Sequence, residues 1–243
     1  MNSVIQKLIP LADAHQAGDE YIAGRANWDG KGACSIGCTC YDAITLGILP
    51  EGSYYDHAAL AEATGTDPRL WHLADAIFEG LPEEERTAWT PLLLRAVSKC
   101  DDTHRTVWRF LSWLLGPDSP SAQGNAHPAV ADAVAGVRQL CERSAAGEKV
   151  PGTEWSAKSA AAGAAESAAE PKAWSAKSES AKSAARAARA ARSAARSAAA
   201  AALSAAESKA WTAARTAAWT AVRSAAWSKI ANQLILCLQG TKR

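Results

Sequence analysis

The stretch DPRLWHLADAIFEGLP, residues 67–82, decides the fold class because it contains the start, the body and the end of one α-helix. Asp67 is a good N-cap, and Pro68 suits the first helical position. Apolar residues recur at spacings of three and four, which is the helical period. The pattern ends at Gly80, just before Pro82, which cannot continue a helix. We therefore predict a helix here and look for the same period elsewhere.

The same period recurs in five further segments of the first 149 residues, and the breaks fall at Pro and Gly. The first segment should begin with Ser3 as N-cap, and Pro10 should end or kink it. The second ends at Gly47, a position that suits a left-handed residue. Alternation typical of strands is nearly absent, so we predict an all-α fold. The five segments are NSVIQKLIPLADAH, CSIGCTCYDAITLG, PEEERTAWTPLLLRAVS, DDTHRTVWRFLSWLLG and HPAVADAVAGVRQLCERSAAG.

A change of composition near Thr153 divides the chain into two predicted domains. Residues 1–149 form an acidic helical body with a Gly and Cys motif. Residues 150–243 are mainly Ala, Ser, Arg, Lys, Glu and Trp, so we expect a helical repeat or hairpin of two or three antiparallel helices, with one long rod as the alternative. This segment should pack on the body or on a second subunit, which makes a homo-oligomer an alternative. Its apolar ending IANQLILCLQG should return as a helix to pack on the body.

The two domains carry opposite charge. Residues 1–149 hold 12 basic and 20 acidic side chains, a net charge of −8, whereas residues 150–243 hold 14 and 5, a net charge of +9. A basic segment attached to an acidic body folds back onto it or reaches an acidic partner, and the attachment favours the first. Five basic residues at spacings of three and four would form one positive stripe on a helix, which predicts nucleic-acid binding as an alternative function. They are Lys182, Arg186, Arg189, Arg192 and Arg196.

Two features predict a cytoplasmic protein without membrane contact. No apolar run reaches the length of about 20 residues that a spanning helix needs. The N-terminal segment carries a proline and acidic side chains, unlike a secretory signal peptide. Six cysteines in 243 residues are too few for a disulfide scaffold, so we expect free thiols.

The stretch NWDGKGACSIGCTCYDA, residues 27–43, is the candidate functional site, and four interpretations of it compete. As a zinc site, Cys34, Cys38 and Cys40 would act with His57. Zinc motifs normally contain a second, distant pair of ligands, and the sequence has only one cluster. We therefore predict no metal ion and no cofactor.

A cysteine nucleophile is the second interpretation. Cys34 or Cys38 would lie at a helix N-terminus near Lys31, where the helix dipole and the ammonium group both lower the pKa of a thiol. Catalysis also needs a base, and the sequence offers three histidines without showing which is close. They are His57, His72 and His104. A cysteine-dependent enzyme is therefore an alternative to the favoured class, a binding protein.

Anion binding is the third interpretation, and a purely structural turn is the fourth. Two glycines allow close approach of the backbone, Lys31 adds a positive charge, and N–H groups are exposed where the helix begins. Aromatic side chains nearby would stack on a planar ligand. The predicted ligand site comprises Trp28, Gly30, Lys31, Gly32, Cys34, Cys38, Tyr54 and His57. In the structural interpretation the glycines form a tight turn, and the cysteines are small buried residues.

Four motifs in this order resemble a family of uncharacterised phage and bacterial proteins. They are WDGKGACSIGC, IFEGLP, VWRFLSWLL and an Ala-rich basic tail interrupted by Trp. The resemblance implies a phage or prophage context and carries over no catalytic residue. Phage proteins of this size that lack enzyme motifs often inhibit or sequester components of a host system. We therefore expect a non-enzymatic binding protein whose partner is a host protein or a small anionic, nucleotide-like ligand.

Overall fold

The computed structural model describes residues 2–18, 20–120, 128–158, 160–161 and 224–240. These residues form the all-α fold that the sequence predicts, with nine helices and no strand among them. None of the described helices is long and apolar enough to cross a membrane. The Ala-rich repeat over residues 162–223 lies outside the described residues. The predicted hairpin or rod, the stripe of basic side chains and the contact with a second subunit therefore stay predictions.

The helices are numbered in chain order. They are α1 (Ser3–Ala17), α2 (Ser35–Thr45), α3 (His57–Thr64), α4 (Pro68–Gly80), α5 (Glu83–Ser98), α6 (Thr103–Leu114), α7 (Pro128–Ala145), α8 (residues 152–158) and α9 (Ser224–Leu238). The chain divides into two compact units, of which the first comprises Met1–Val107 with Trp227–Arg243 and the second comprises Trp108–Ala226. The boundary between residues 149 and 150 rests on composition and stays a prediction, because most of the Ala-rich segment is not described.

The ends of α4 match the sequence prediction. The Asp67 side chain caps the helix by accepting a hydrogen bond from the Arg69 N–H, and Pro68 is the first helical residue. Gly80 is the last residue of the helix. Gly47 follows α2 with a φ of 67°, in the left-handed region that its position predicts.

The helix α1 differs from its prediction at its N-cap. Asn2, rather than Ser3, is the N-cap, and its Oδ1 accepts hydrogen bonds from the N–H groups of Val4 and Ile5. Pro10 lies inside the helix and does not end it. The proline is on the exposed side, where water can bond the carbonyl that loses its helical partner.

The helix α3 has no counterpart among the predicted segments. Asp56 caps it by accepting a hydrogen bond from the Ala59 N–H, and the left-handed Gly65 ends it. Its eight residues span only about two turns, which is too short for a clear apolar period. The helix begins at His57, one of the predicted site residues.

The core of the first unit is formed mainly by α1, α2, α4 and α5. The helix α1 packs against α5 and α2, and α3 packs against α4. Each helix turns its apolar face inward, which removes large side chains from water. The largest fully buried side chains of this unit are Trp71, Phe78, Ile5, Leu8, Ile36, Leu60, Leu70, Ile77, Leu81, Leu93 and Leu94.

The helix α9 brings the last part of the described chain back to the first unit. A Cβ atom at Gly80 would lie 2.2 Å from the ring of Trp227, so only glycine allows the indole to pack there. Ser228 donates a hydrogen bond from its Oγ to Glu85 Oε1 over 2.7 Å. The prediction that the apolar ending packs on the body as a helix is confirmed.

The second unit has an aromatic centre. The buried rings of Trp108 and Trp155 stack with their centroids 5.1 Å apart. At the surface of this unit, Arg143 pairs with both Glu148 and Glu154. Such exposed pairs contribute at most about 1 kcal/mol each.

Candidate functional site

Several backbone N–H groups of the loop before α2 donate hydrogen bonds to other groups of the protein. Asp29 Oδ1 accepts hydrogen bonds from the N–H groups of Lys31, over 3.0 Å, and Gly32, over 3.2 Å. These two bonds hold the pKa of the Asp29 carboxyl below its usual value. The Ala33 N–H donates to Glu20 O, and the Cys34 N–H donates to Arg25 O. The N–H groups of residues 31–34, which form part of the predicted anion cradle, therefore already have partners within the protein.

The glycines of this stretch have packing roles. A Cβ atom at Gly32 would lie 2.3 Å from Glu20 O, and one at Gly37 would lie 2.1 Å from Ala26 O. Both glycines therefore allow the preceding loop to lie directly against α2 and the residues before it. Gly30 has a φ of 90°, which a turn at this point requires. These observations agree with the structural interpretation of the stretch.

The three cysteines of the stretch point to three different groups. The thiol of Cys34 donates to Asp75 Oδ1 over 3.4 Å, that of Cys38 to Ala33 O over 3.4 Å, and that of Cys40 to the backbone oxygen of Asp56 over 4.0 Å. All three are buried. Burial raises the pKa of each thiol, to about 12 for Cys38 and Cys40. The three sulfur atoms therefore do not form a zinc cluster, and they are protonated at neutral pH.

Alkylation rates test this description of the thiols. Iodoacetamide at neutral pH should modify Cys34, Cys38 and Cys40 of the folded protein much more slowly than the partly exposed Cys100 and Cys237, because the thiolate is the reactive species and burial disfavours it. Peptide mass spectrometry after timed quenching measures each site. Rapid alkylation at Cys34 would contradict the buried, protonated state and restore the enzyme alternative.

Several polar side chains lie around the buried Asp75, which is on α4. Tyr55 donates its hydroxyl to Asp75 Oδ2 over 2.5 Å, and His57 Nε2 lies 3.9 Å from the same oxygen. The ring of His57 stacks on that of His72 with centroids 4.1 Å apart. Burial lowers the pKa of His57 to about 3 and that of His72 to about 4, so both rings are neutral at pH 7. The carboxylate of Asp75 thus connects Cys34 on one oxygen with Tyr55 on the other.

A third histidine, His15, lies between two carboxylates. His15 Nδ1 lies 2.5 Å from Glu20 Oε2, and His15 Nε2 lies 2.8 Å from Asp42 Oδ1. Burial disfavours the charged ring, but the hydrogen bonds to Asp42 and Glu20 outweigh it and raise the pKa of His15. Trp28 stacks on Tyr41 with centroids 4.8 Å apart, and it also lies 5.0 Å from the His15 ring. Trp28 therefore covers this ion pair instead of standing open for a planar ligand.

A polar cleft of about 380 Å³ lies in the first unit, between the start of α4 and the start of α6. We call it the acidic cleft. Asp67 is buried in it and accepts hydrogen bonds from Arg69 Nε and from His104 Nδ1, each over 2.8 Å. Its polar lining residues are Asn2, Thr66, Asp67, Asp101, Asp102, Thr103 and His104. Asp101 and Asp102 are exposed.

None of the eight predicted ligand residues lines the acidic cleft. Cys34 and His57 approach the same carboxylate, that of Asp75, while Tyr54 is 41% exposed and Lys31 is exposed in the loop. The basic residues of the nucleic-acid alternative lie outside the described part of the chain. Sequence reasoning missed Asp75 and Glu79, although an acidic pair four residues apart in the mainly apolar second half of a helix is a usable signal.

Comparisons with protein-family models, curated proteins and solved structures found no match to this chain.

Proposed function

We propose that this chain is a non-enzymatic binding protein that holds a small, positively charged ligand in the acidic cleft. The observation that carries the proposal is the convergence of three aspartates, Asp67, Asp101 and Asp102, on one cleft of about 380 Å³. Clefts of about 300–1,000 Å³ with a few convergent polar groups are the usual sites for small ligands. A ligand with an ammonium or guanidinium group complements this lining.

The three aspartates of the cleft differ in their surroundings: Asp67 is buried and paired, whereas Asp101 and Asp102 are exposed. Arg69 and His104 already bond the carboxylate of Asp67, and these contacts lower its pKa despite its burial. The carboxylates of Asp101 and Asp102 are exposed, so they supply the attraction for a cation. An anionic ligand would meet repulsion here, and in the loop before α2 the backbone N–H groups of Lys31 and Gly32 already bond Asp29.

The chemistry of the buried groups supports binding over catalysis. A cysteine nucleophile needs its thiolate, and burial raises the pKa of Cys34, Cys38 and Cys40. A general base works best with a pKa near the operating pH, whereas those of His57 and His72 are about 3 and about 4. In the phage context that the resemblance implies, such a protein would sequester a cationic metabolite or inhibit a host system.

Thermal shift measurements test the proposal. Spermidine and free arginine should raise the melting temperature in a concentration-dependent manner, whereas ATP should not, since a ligand stabilises the state that binds it. Isothermal titration then gives the affinity. The double variant Asp101→Asn/Asp102→Asn should bind the same cation about tenfold more weakly, because each exposed ion pair contributes up to about 1 kcal/mol.

The substitutions Asp101→Asn and Asp102→Asn should preserve the fold. Asp102 accepts a hydrogen bond from the Arg105 N–H at the start of α6, and asparagine caps a helix equally well. The matched control is Asp132→Asn, which removes an exposed carboxylate of α7 outside the cleft. Equal weakening in the control would indicate general charge attraction and overturn the cleft as the site. Stabilisation by ATP alone would support an anion trap instead.

A further inference from the structure

Three side chains that suit a transition metal meet in the first unit. Ligand atoms of Cys34, Asp75 and Glu79 all lie within 4.8 Å of one another. Zinc bonds sulfur at about 2.3 Å and oxygen at about 2.0–2.2 Å, so two ligands of a tetrahedral ion are about 3.3–3.6 Å apart. The distance from Cys34 Sγ to Asp75 Oδ1 is 3.4 Å, which fits this spacing.

The fold fixes these side chains on two helices. Asp75 and Glu79 are four residues apart on α4, so they project from the same face of that helix. Cys34 is the N-cap of α2, which packs against α4. Cys34 and Asp75 are each 1% exposed, and Glu79 is half-buried, which leaves a path from solvent to the cluster.

His57 provides an independent observation that points to a ligand. The residue is 8% exposed, and within the described part of the chain its Nε2 atom is buried without a hydrogen-bond partner. This nitrogen lies 3.9 Å from Asp75 Oδ2, so His57 borders the cluster from the side of the second carboxylate oxygen, just outside the 4.8 Å group. A buried polar atom without a partner costs free energy, and a metal ion would satisfy the lone pair of a neutral imidazole.

The carboxylates and the thiol also have outer partners that would hold them as ligands. The hydroxyl of Tyr55 donates to Asp75 Oδ2, and the Gly24 N–H donates to both oxygens of Glu79, over 2.9 and 2.8 Å. The Gly37 N–H donates to Cys34 Sγ over 3.5 Å. Such contacts orient metal ligands and tune their basicity, and most metal sites have them.

We propose that Cys34, Asp75, Glu79 and His57 bind one zinc-type transition metal ion. Thiolate and imidazole ligands select zinc, cobalt or similar ions over calcium and magnesium, which prefer oxygen ligands. When the metal–sulfur bond forms, the Cys34 S–H bond breaks and its proton passes to solvent. Four protein ligands fill a tetrahedral ion, so the site is structural and joins α2, α3 and α4.

Cobalt(II) binding tests the proposal. The full chain is freed of metal with a chelator and titrated with cobalt(II) chloride under reducing conditions. We expect one equivalent to bind, with visible ligand-field bands of tetrahedral geometry and a near-ultraviolet thiolate-to-cobalt band. Zinc(II) should displace the cobalt and raise the melting temperature. The absence of a thiolate-to-cobalt band at one equivalent would overturn the proposal.

Variants identify the ligands. Cys34→Ser should abolish the charge-transfer band, and Glu79→Gln and His57→Gln should each weaken cobalt binding at least tenfold to a hundredfold. Cys38→Ser is the matched control, because Cys38 is an equally buried thiol of α2 outside the cluster, and it should leave the spectrum unchanged.

The fold of each variant is checked by circular dichroism before titration. Glu79 is only half-buried, so Glu79→Gln keeps the test decisive if Cys34→Ser fails to fold. An unchanged affinity in Glu79→Gln and His57→Gln would place the metal elsewhere and overturn the assignment. The acidic cleft shares none of these residues, so loss of the metal site leaves cation binding in the cleft as a separate question.

Discussion

Replacing Gly37 with alanine is expected to lower the free energy of unfolding by about 3 kcal/mol, the upper part of the usual cost of overpacking. Alanine in place of glycine normally stabilises a helix by up to about 1 kcal/mol. Here the new Cβ atom would lie 2.1 Å from Ala26 O and 2.7 Å from the Cβ of Ala33. The nearest atom is a backbone carbonyl oxygen of the loop before α2, and backbone cannot move aside as a flexible side chain would. Urea denaturation followed by circular dichroism measures the change.

Gly136→Ala is the matched control for Gly37→Ala. Gly136 lies within α7, and the three atoms nearest to a Cβ there belong to the side chain of Lys158, the closest at 3.0 Å. A lysine side chain can rotate away, so this substitution should leave stability unchanged or raise it by up to about 1 kcal/mol. Opposite signs for the two substitutions are the expected result. A gain of stability in Gly37→Ala would contradict the close approach of the loop to α2.

Replacing His15 with alanine is expected to cost about 3–5 kcal/mol of unfolding free energy, because it leaves a buried carboxylate without its partner. Asp42 is 4% exposed, and its Oδ1 lies 2.8 Å from His15 Nε2. The double variant His15→Ala/Asp42→Asn should recover part of the loss, since it also removes the buried charge. A double variant that is as unstable as the sum of both single variants would contradict coupling between them.

From the pairing of His15 with Asp42 we also predict that the stability of the unmodified protein depends on pH. The pKa of His15 in the folded state is above its ordinary value of 6.5, despite the opposing effect of burial, because Asp42 and Glu20 bond the charged ring. The stabilisation is therefore complete below about pH 6.5 and is lost as the pH rises through the folded pKa. Unfolding free energies measured across that range should fall with pH in the unmodified protein and fall less in His15→Ala.

The sequence predicts the local structure because caps, prolines and glycines act on neighbouring residues. The cap at Asp67, Pro68 at the first helical position and the left-handed Gly47 all follow from local chemistry. The packing of α9 on the first unit was also predicted, because burying its apolar side chains removes them from water. The short helix α3 was missed because two turns do not establish a period.

The candidate site was harder to predict because it depends on contacts between residues that are far apart in the sequence. Cys38 and Cys40 are two residues apart, which on a helix turns their side chains by about 200° and directs them to different groups. The spacing that suggested a metal cluster therefore separates the thiols once the segment is helical. Asp75 meets Cys34 across 41 residues of sequence, and one sequence contains no signal for such a pair.

The packing of Trp227 on Gly80 has a consequence for synthesis on the ribosome. About 120 residues of the second unit separate Val107 from Trp227 in the chain. At about 5–20 residues per second, the ribosome needs on the order of 10 s to make them. During this interval the first unit lacks the indole that covers Gly80. Nascent chains therefore expose that apolar surface to chaperones until the last helix emerges.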